Sequence, residues 1–259
     1  MKVIKTTMLM AVLTLLWGCS SDDDEKGGDL TFTESANPTW RVDWFSTAAP
    51  PDWHDPASTA YECSMNLLVE LDGDAEDYSS NADLMSVFIN GECRGVSYRN
   101  VLDNGKIAFL LHPSGRSEEN GAPMELRYYC EKLKHLTISD AIPPFKSSNL
   151  IDDTYHLVFD FGYGSTKYPY FTELAIVLPE KLPFTPTEDD QLAVFVGNEC
   201  RGVGVRAPEI YPHWKMTAYQ VQEDETVQVR YYSADKGGIY TITQPVTLKG
   251  DLQQENIKF

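Results

Sequence analysis

After about residue 60 the chain is a succession of short apolar runs broken by turn residues. "MNLLVEL" (Met65 to Leu71), "LMSVFI" (Leu84 to Ile89), "ECRGVSY" (Glu92 to Tyr98), "KIAFLL" (Lys106 to Leu111), "MELRYY" (Met124 to Tyr129) and "LTISDAI" (Leu136 to Ile142) are rich in β-branched and aromatic residues. Runs of that length with turn residues between them predict strands. No long apolar stripe with a helical period of 3.6 occurs beyond the first residues of the chain. The pattern predicts an all-β protein made of antiparallel sandwiches.

The pattern also repeats. At one constant offset Leu67 falls on Leu174, Val69 on Ile176, Leu71 on Leu178 and Asp83 on Asp190. Glu92-Cys93-Arg94-Gly95-Val96 falls on Glu199-Cys200-Arg201-Gly202-Val203, and Arg99 on Arg206. With a slightly smaller offset "LRYYC" (Leu126 to Cys130) lies on "VRYYS" (Val229 to Ser233). A duplication this long means two copies of one folding unit, too few for a solenoid. The expected organisation is a signal at residues 1–18, a tether at 19–36, and two tandem sandwich domains at 37–148 and 149–259.

The best-matched stretch, "VFINGECRGV" against "VFVGNECRGV", reads as a two-residue hairpin. Asn90-Gly91 supplies the positive φ angles of a type I′ turn, and Gly197-Asn198 is another permitted pair. An unbroken register sets Ile89 opposite Glu92, Phe88 opposite Cys93 and Val87 opposite Arg94. Glu92 and Arg94 then sit close enough for an ion pair. Cys93 and Cys200 lack the basic setting and the aligned histidine of a nucleophile, so packing is the expected role. The stretch resembles a β-sandwich repeat of secreted and surface-anchored Bacteroidetes proteins. That resemblance implies an extracellular, non-catalytic module and brings no catalytic residues with it.

The first residues add an address. Lys2 and Lys5 precede the apolar run "MLMAVLTLL", too short to span a bilayer, and Leu16-Trp17-Gly18-Cys19 follows. This resembles the lipobox of bacterial lipoproteins, which implies acylation of Cys19 and a lipid bilayer as partner. The next ten residues, "SSDDDEKGGD", carry almost nothing apolar and read as a flexible tether. An acidic run in this position resembles the export signal of Bacteroidetes surface lipoproteins, implying an outward-facing place on the outer membrane. The periplasmic face is the alternative. Loss of residues 1–18 removes two lysines and no acid, so a net charge of −18 becomes −20. Such a chain repels phosphate backbones, which argues against nucleic acid as a partner.

Where the copies differ, loops carry the candidate chemistry. Trp53 and His54 lie in an insertion of the first copy; Tyr211, His213 and Trp214 lie in the second. Their flat apolar faces with polar edges suit a sugar ring or a partner protein, or else plug the sandwich ends. Asp72 to Asp83 spaces acids like part of a calcium loop, but Asp77 stands where an EF-hand needs glycine. A solvated acidic loop is the reading, and no metal or other cofactor is called for. Cys63 and Cys130 have no cysteine counterparts in the second copy, and a bridge between them is proposed alongside two buried thiols. Function reads as lipid-anchored binding of a glycan or protein ligand. A structural or adhesive role is the alternative, and a glycoside hydrolase using loop carboxylates a further one.

Overall fold

The computed structural model describes residues 30–147, 154–178, 182–207, 213–243, 245–249 and 255–258. Cys19 lies outside them. Strand β1 (Leu30–Glu34) comes first, followed by β2 (Cys63–Ser64), β3 (Asn66–Leu71), helix α1 (Gly73–Tyr78), β4 (Leu84–Ile89) and β5 (Glu92–Tyr98). Then come β6 (Asn100–Val101), β7 (Ile107–Leu111), β8 (Ser114–Gly115), β9 (Met124–Cys130), β10 (His135–Ser139) and β11 (Thr154–Phe159). The second half holds β12 (Tyr170–Val177), β13 (Gln191–Val196), β14 (Glu199–Val203), β15 (Val205–Arg206) and β16 (His213–Gln220). It ends with β17 (Asp224–Ser233), β18 (Gly238–Ile242), β19 (Val246–Lys249) and β20 (Glu255–Lys258). The protein is all-β, as the short β-branched and aromatic runs predict.

The hydrogen-bonded order repeats strand for strand. One sheet of the first half runs β10-β9-β4-β5 and the other β11-β3-β7-β6. In the second half β18-β17-β13-β14 answers the first, and β20-β12-β16-β15 the second. Each pair of sheets closes on its own apolar cluster. One contains Leu67, Val69, Phe109, Leu126 and Tyr128; the other contains Leu174, Ile176, Val194, Val229 and Tyr231.

Two strands fall outside the boundaries drawn from the sequence. β11 lies beyond the expected division at residue 148, yet pairs in parallel with β3, Thr154 opposite Asn66. β20 pairs in parallel with β12 in the same way. The hydrogen-bonded repeat therefore runs from β3 to β11 and again from β12 to β20. Parallel pairing needs a long crossover, so no local turn signal marks it. β1, inside the segment read as a tether, pairs antiparallel with β18 over Leu30–Glu34 and covers that edge of the second half.

Buried acids explain why Asp83 and Asp190 align. Asp83 is fully buried and accepts from Ser80 N, Ser80 Oγ, the Tyr128 hydroxyl and Glu131 N at 2.7–3.0 Å. Asp190 accepts from Thr187 N, Thr187 Oγ1, the Tyr231 hydroxyl and Ala234 N. Four donors per carboxylate meet the cost of taking the charge out of water. Asp83 thus ends the acidic stretch as a core acceptor, not a solvated group, while Gly73–Tyr78 before it coils into α1.

Candidate functional site

The repeated Glu-Cys-Arg-Gly stretch builds a cluster around a buried arginine in each half. Asn90 and Gly91 both have positive φ (51° and 79°), as a type I′ turn demands. In the second copy only Gly197 does (60°), which suits the II′ turn and explains the reversed order Gly-Asn. The register differs from the unbroken one. Ile89 faces Glu92 and Phe88 faces Cys93, but Val87 then faces Gly95, with a bulge between. The same shift occurs in the second copy, where Val194 faces Gly202. The bulge leaves Arg94 and Arg201 unpaired in the ladder and re-aims their side chains inward.

Arg94 is 2 % exposed and holds Glu119 with two bonds of 2.7 and 2.9 Å, Glu92 at 3.1 Å, and stacks on Tyr61. Arg201 repeats this with Glu225 at 3.2 Å, Glu199 at 3.4 Å, and Tyr168. The Tyr61 and Tyr168 hydroxyls donate to Glu92 and Glu199. The Arg94 bond holds the Glu119 carboxyl below its ordinary range. Cys93 Sγ lies 3.1 Å from Ser86 Oγ, and burial pushes the Cys200 thiol up to about 11. Neither motif cysteine has a histidine partner among the described contacts. The repeat is a scaffold of paired charges.

The loop aromatics separate. Trp214 lies on β16, is 4 % exposed and packs edge-on against Tyr231. It belongs to the second core, which corrects its reading as a ligand contact: the strand's alternation turns it inward. Trp53 is half-buried against Phe88, whose other neighbour is Arg127 at 3.7 Å. His54 is exposed beside Asp52. His213 begins β16, and Tyr211 lies outside the described residues. The Cys63–Cys130 bridge is absent. Both are free thiols: Cys63 Sγ lies 3.5 Å from Ser117 Oγ, and Cys130 Sγ 3.6 Å from the Tyr78 carbonyl. Different neighbours hold the two sulfurs in different places.

A concavity that sequence reasoning passed over lies between the two halves. Its volume is about 520 Å³, and it is lined by the ends of β10 and β11, the turn after β11, and strands β12 and β16. Asp72, Asp140, Asp160 and Glu173 line it, with Tyr163, Phe171, Thr217 and Tyr219, and no lysine or arginine does. Tyr163 is 59 % exposed and Val158 66 %. The turn that carries Tyr163 needs glycines. A Cβ on Gly164 (φ 114°) would meet the Ile138 carbonyl at 1.9 Å, and one on Gly162 the Tyr219 hydroxyl at 2.5 Å.

Two groups of this cleft are perturbed: burial, with Asp160 nearby, raises the Tyr219 hydroxyl above its ordinary range, and Asp160 is raised as well. Burial, with Asp74 and Asp72 nearby, raises its affinity for a proton, against the pull of Phe161 N and Ala75 N. Those two N–H groups donate to its Oδ1 at 2.7 and 3.4 Å, so the carboxyl also secures the start of α1. Glu173 accepts from Thr217 Oγ1 at 2.8 Å. Among the described residues no group of three or more His, Cys, Asp or Glu is placed to hold a metal ion. None of their helices is long and apolar enough to cross a membrane. The cleft escaped the sequence because five separated stretches build it. "GYG" (Gly162 to Gly164) was the one local signal.

No family model and no curated protein matches the chain. Among solved structures a likeness is found to a leucine-rich repeat protein from Bacteroides thetaiotaomicron, at 9 % identity and a TM-score of 0.24. It covers 76 % of this chain, which spans about a quarter (26 %) of that protein. At that score the fold rests on the strands described above.

Proposed function

We propose that the protein is a lipid-anchored cell-surface binding protein, built of two tandem β-sandwich units, that holds a glycan without catalysis. Acylated Cys19 is its anchor to the outer membrane, facing outward, and the periplasmic face is the alternative. The observation that carries the reading is the cleft, in which exposed Tyr163 stands beside Asp72, Asp160, Glu173 and Thr217. An aromatic face suits the apolar side of a sugar ring, and carboxylates accept from its hydroxyls. A protein ligand is less well served, since a hot spot needs a fully desolvated apolar centre. A glycan array on the purified protein and on Tyr163→Ala tests this. Binding by the parent and loss in the variant is the expected result; silence across the array overturns it.

Two other readings draw on particular residues. Exposed Tyr98 and Val101, at 62 % and 59 %, favour a structural or adhesive part in a surface assembly. Self-association lost in Tyr98→Ser is its signature. Asp160, with its raised proton affinity beside other carboxylates, favours a glycoside hydrolase. Release of reducing sugar, abolished in Asp160→Asn, is the signature there. The backbone bonds to Asp160 Oδ1 account for that carboxyl without catalysis.

A further inference from the structure

A second concavity of about 450 Å³ adjoins the first. Asp160, Glu173, Thr217 and Tyr219 line both. Beyond them the second cleft continues past Lys215 to Trp40 and Val205, the latter 71 % exposed. Each cleft alone is of the size that holds a small ligand, about 300–1,000 Å³. Together they form one binding face around the junction, with an apolar surface at either end and hydrogen-bonding groups between. Tyr163 stands at one end and Trp40 with Val205 at the other. Arg41, at the second cleft, is already paired with Asp77 and Asp74. The Trp44 indole N–H donates to Asp74 at 2.8 Å.

We propose that the ligand is an extended neutral oligosaccharide that lies across both clefts and is gripped along its length, not a terminal sugar held in one of them. The inference rests on the glycan reading above and adds chain length, charge and a second contact region to it. An exposed ring at Tyr163 and an apolar surface at Val205, beside half-buried Trp40 that packs edge-on against Phe195, flank a hydroxyl-accepting floor. That floor suits several consecutive sugar rings, each adding its own contacts. Across both clefts Asp72, Asp74, Asp140, Asp160 and Glu173 outnumber Lys215 and the already paired Arg41, which disfavours uronate and sulfated chains.

Titration calorimetry decides it, with neutral β-1,4-linked glucan, xylan and mannan oligosaccharides from disaccharide to octasaccharide, and oligogalacturonate of matching length. One neutral series should gain about tenfold or more in affinity between disaccharide and hexasaccharide. Tyr163→Ala and Val205→Asp, at opposite ends, should each weaken the hexasaccharide by about tenfold. Thermal melting of both variants checks that the fold is kept. An affinity that stops rising at the disaccharide, an effect from only one of the two ends, or equally tight oligogalacturonate overturns this proposal and leaves glycan binding standing. No binding by any sugar, with retention of a basic peptide instead, overturns the glycan reading itself.

Discussion

His135 offers a sharp test of how tightly the core of the first half is packed. It opens β10, is 0 % exposed, and neither ring nitrogen has a hydrogen-bond partner by geometry, though the Trp44 backbone lies near enough to favour the proton. Trp44 and Phe161 crowd it edge-on, at centroid distances of 5.7 and 5.2 Å. Burial, with Lys167 as the nearby charge, lowers its pKa from 6.5 to about 4. Between those values the unfolded chain binds a proton that the folded protein refuses, so stability falls as pH falls. The drop corresponds to about 3 kcal/mol, at about 1.4 kcal/mol per tenfold change in proton affinity. It is absent above pH 6.5 and fully developed below about 4. Urea unfolding of the parent and of His135→Phe from pH 7 to pH 4 isolates it, because other groups cancel in the difference. The variant should gain on the parent by about 3 kcal/mol over that range. Parallel curves would refute the reasoning, and a gain already complete at pH 6 would mean that the ring is not buried neutral.

Four other outcomes follow from the contacts. Arg94→Ala should cost about 2–3 kcal/mol in urea unfolding, because it empties a buried position and takes two bonds from the partly exposed Glu119 carboxylate, while Arg94→Met with Glu119→Leu should cost less. Trp214→Ala should cost about 3–5 kcal/mol as a core truncation, and half-buried Trp53→Ala clearly less; equal losses would count against the placement of Trp214. Thiol titration under denaturing, non-reducing conditions should find Cys63, Cys93, Cys130 and Cys200 all free; finding two of these four free would restore the bridge. Cys19→Ala should move the protein out of the membrane fraction and end labelling by palmitate, and a variant retained with its label would remove the anchor from the account.

The strands and their repetition were legible in the order of residues alone. The short apolar run at Asn66–Leu71 and turn residues at Asn90-Gly91 are local signals, and a duplicated unit shows them twice. The alignment set Asp83 on Asp190 and Arg94 on Arg201, but Asp83 read as part of a solvated loop, and nothing local showed that these charges are buried. How those charges are met depends on packing between distant stretches. Glu119, Glu225, Tyr61 and Tyr168 come from other parts of the chain, and a single bulged residue turns each arginine to reach them. Such packing also decided that β11 belongs beside β3 and β1 beside β18, since pairing across such separations leaves no trace in local periodicity. The cleft belongs to the same class. Asp72, Ile138, Asp160, Glu173 and Tyr219 meet only where two packed halves face each other, and no spacing along the chain encodes that meeting.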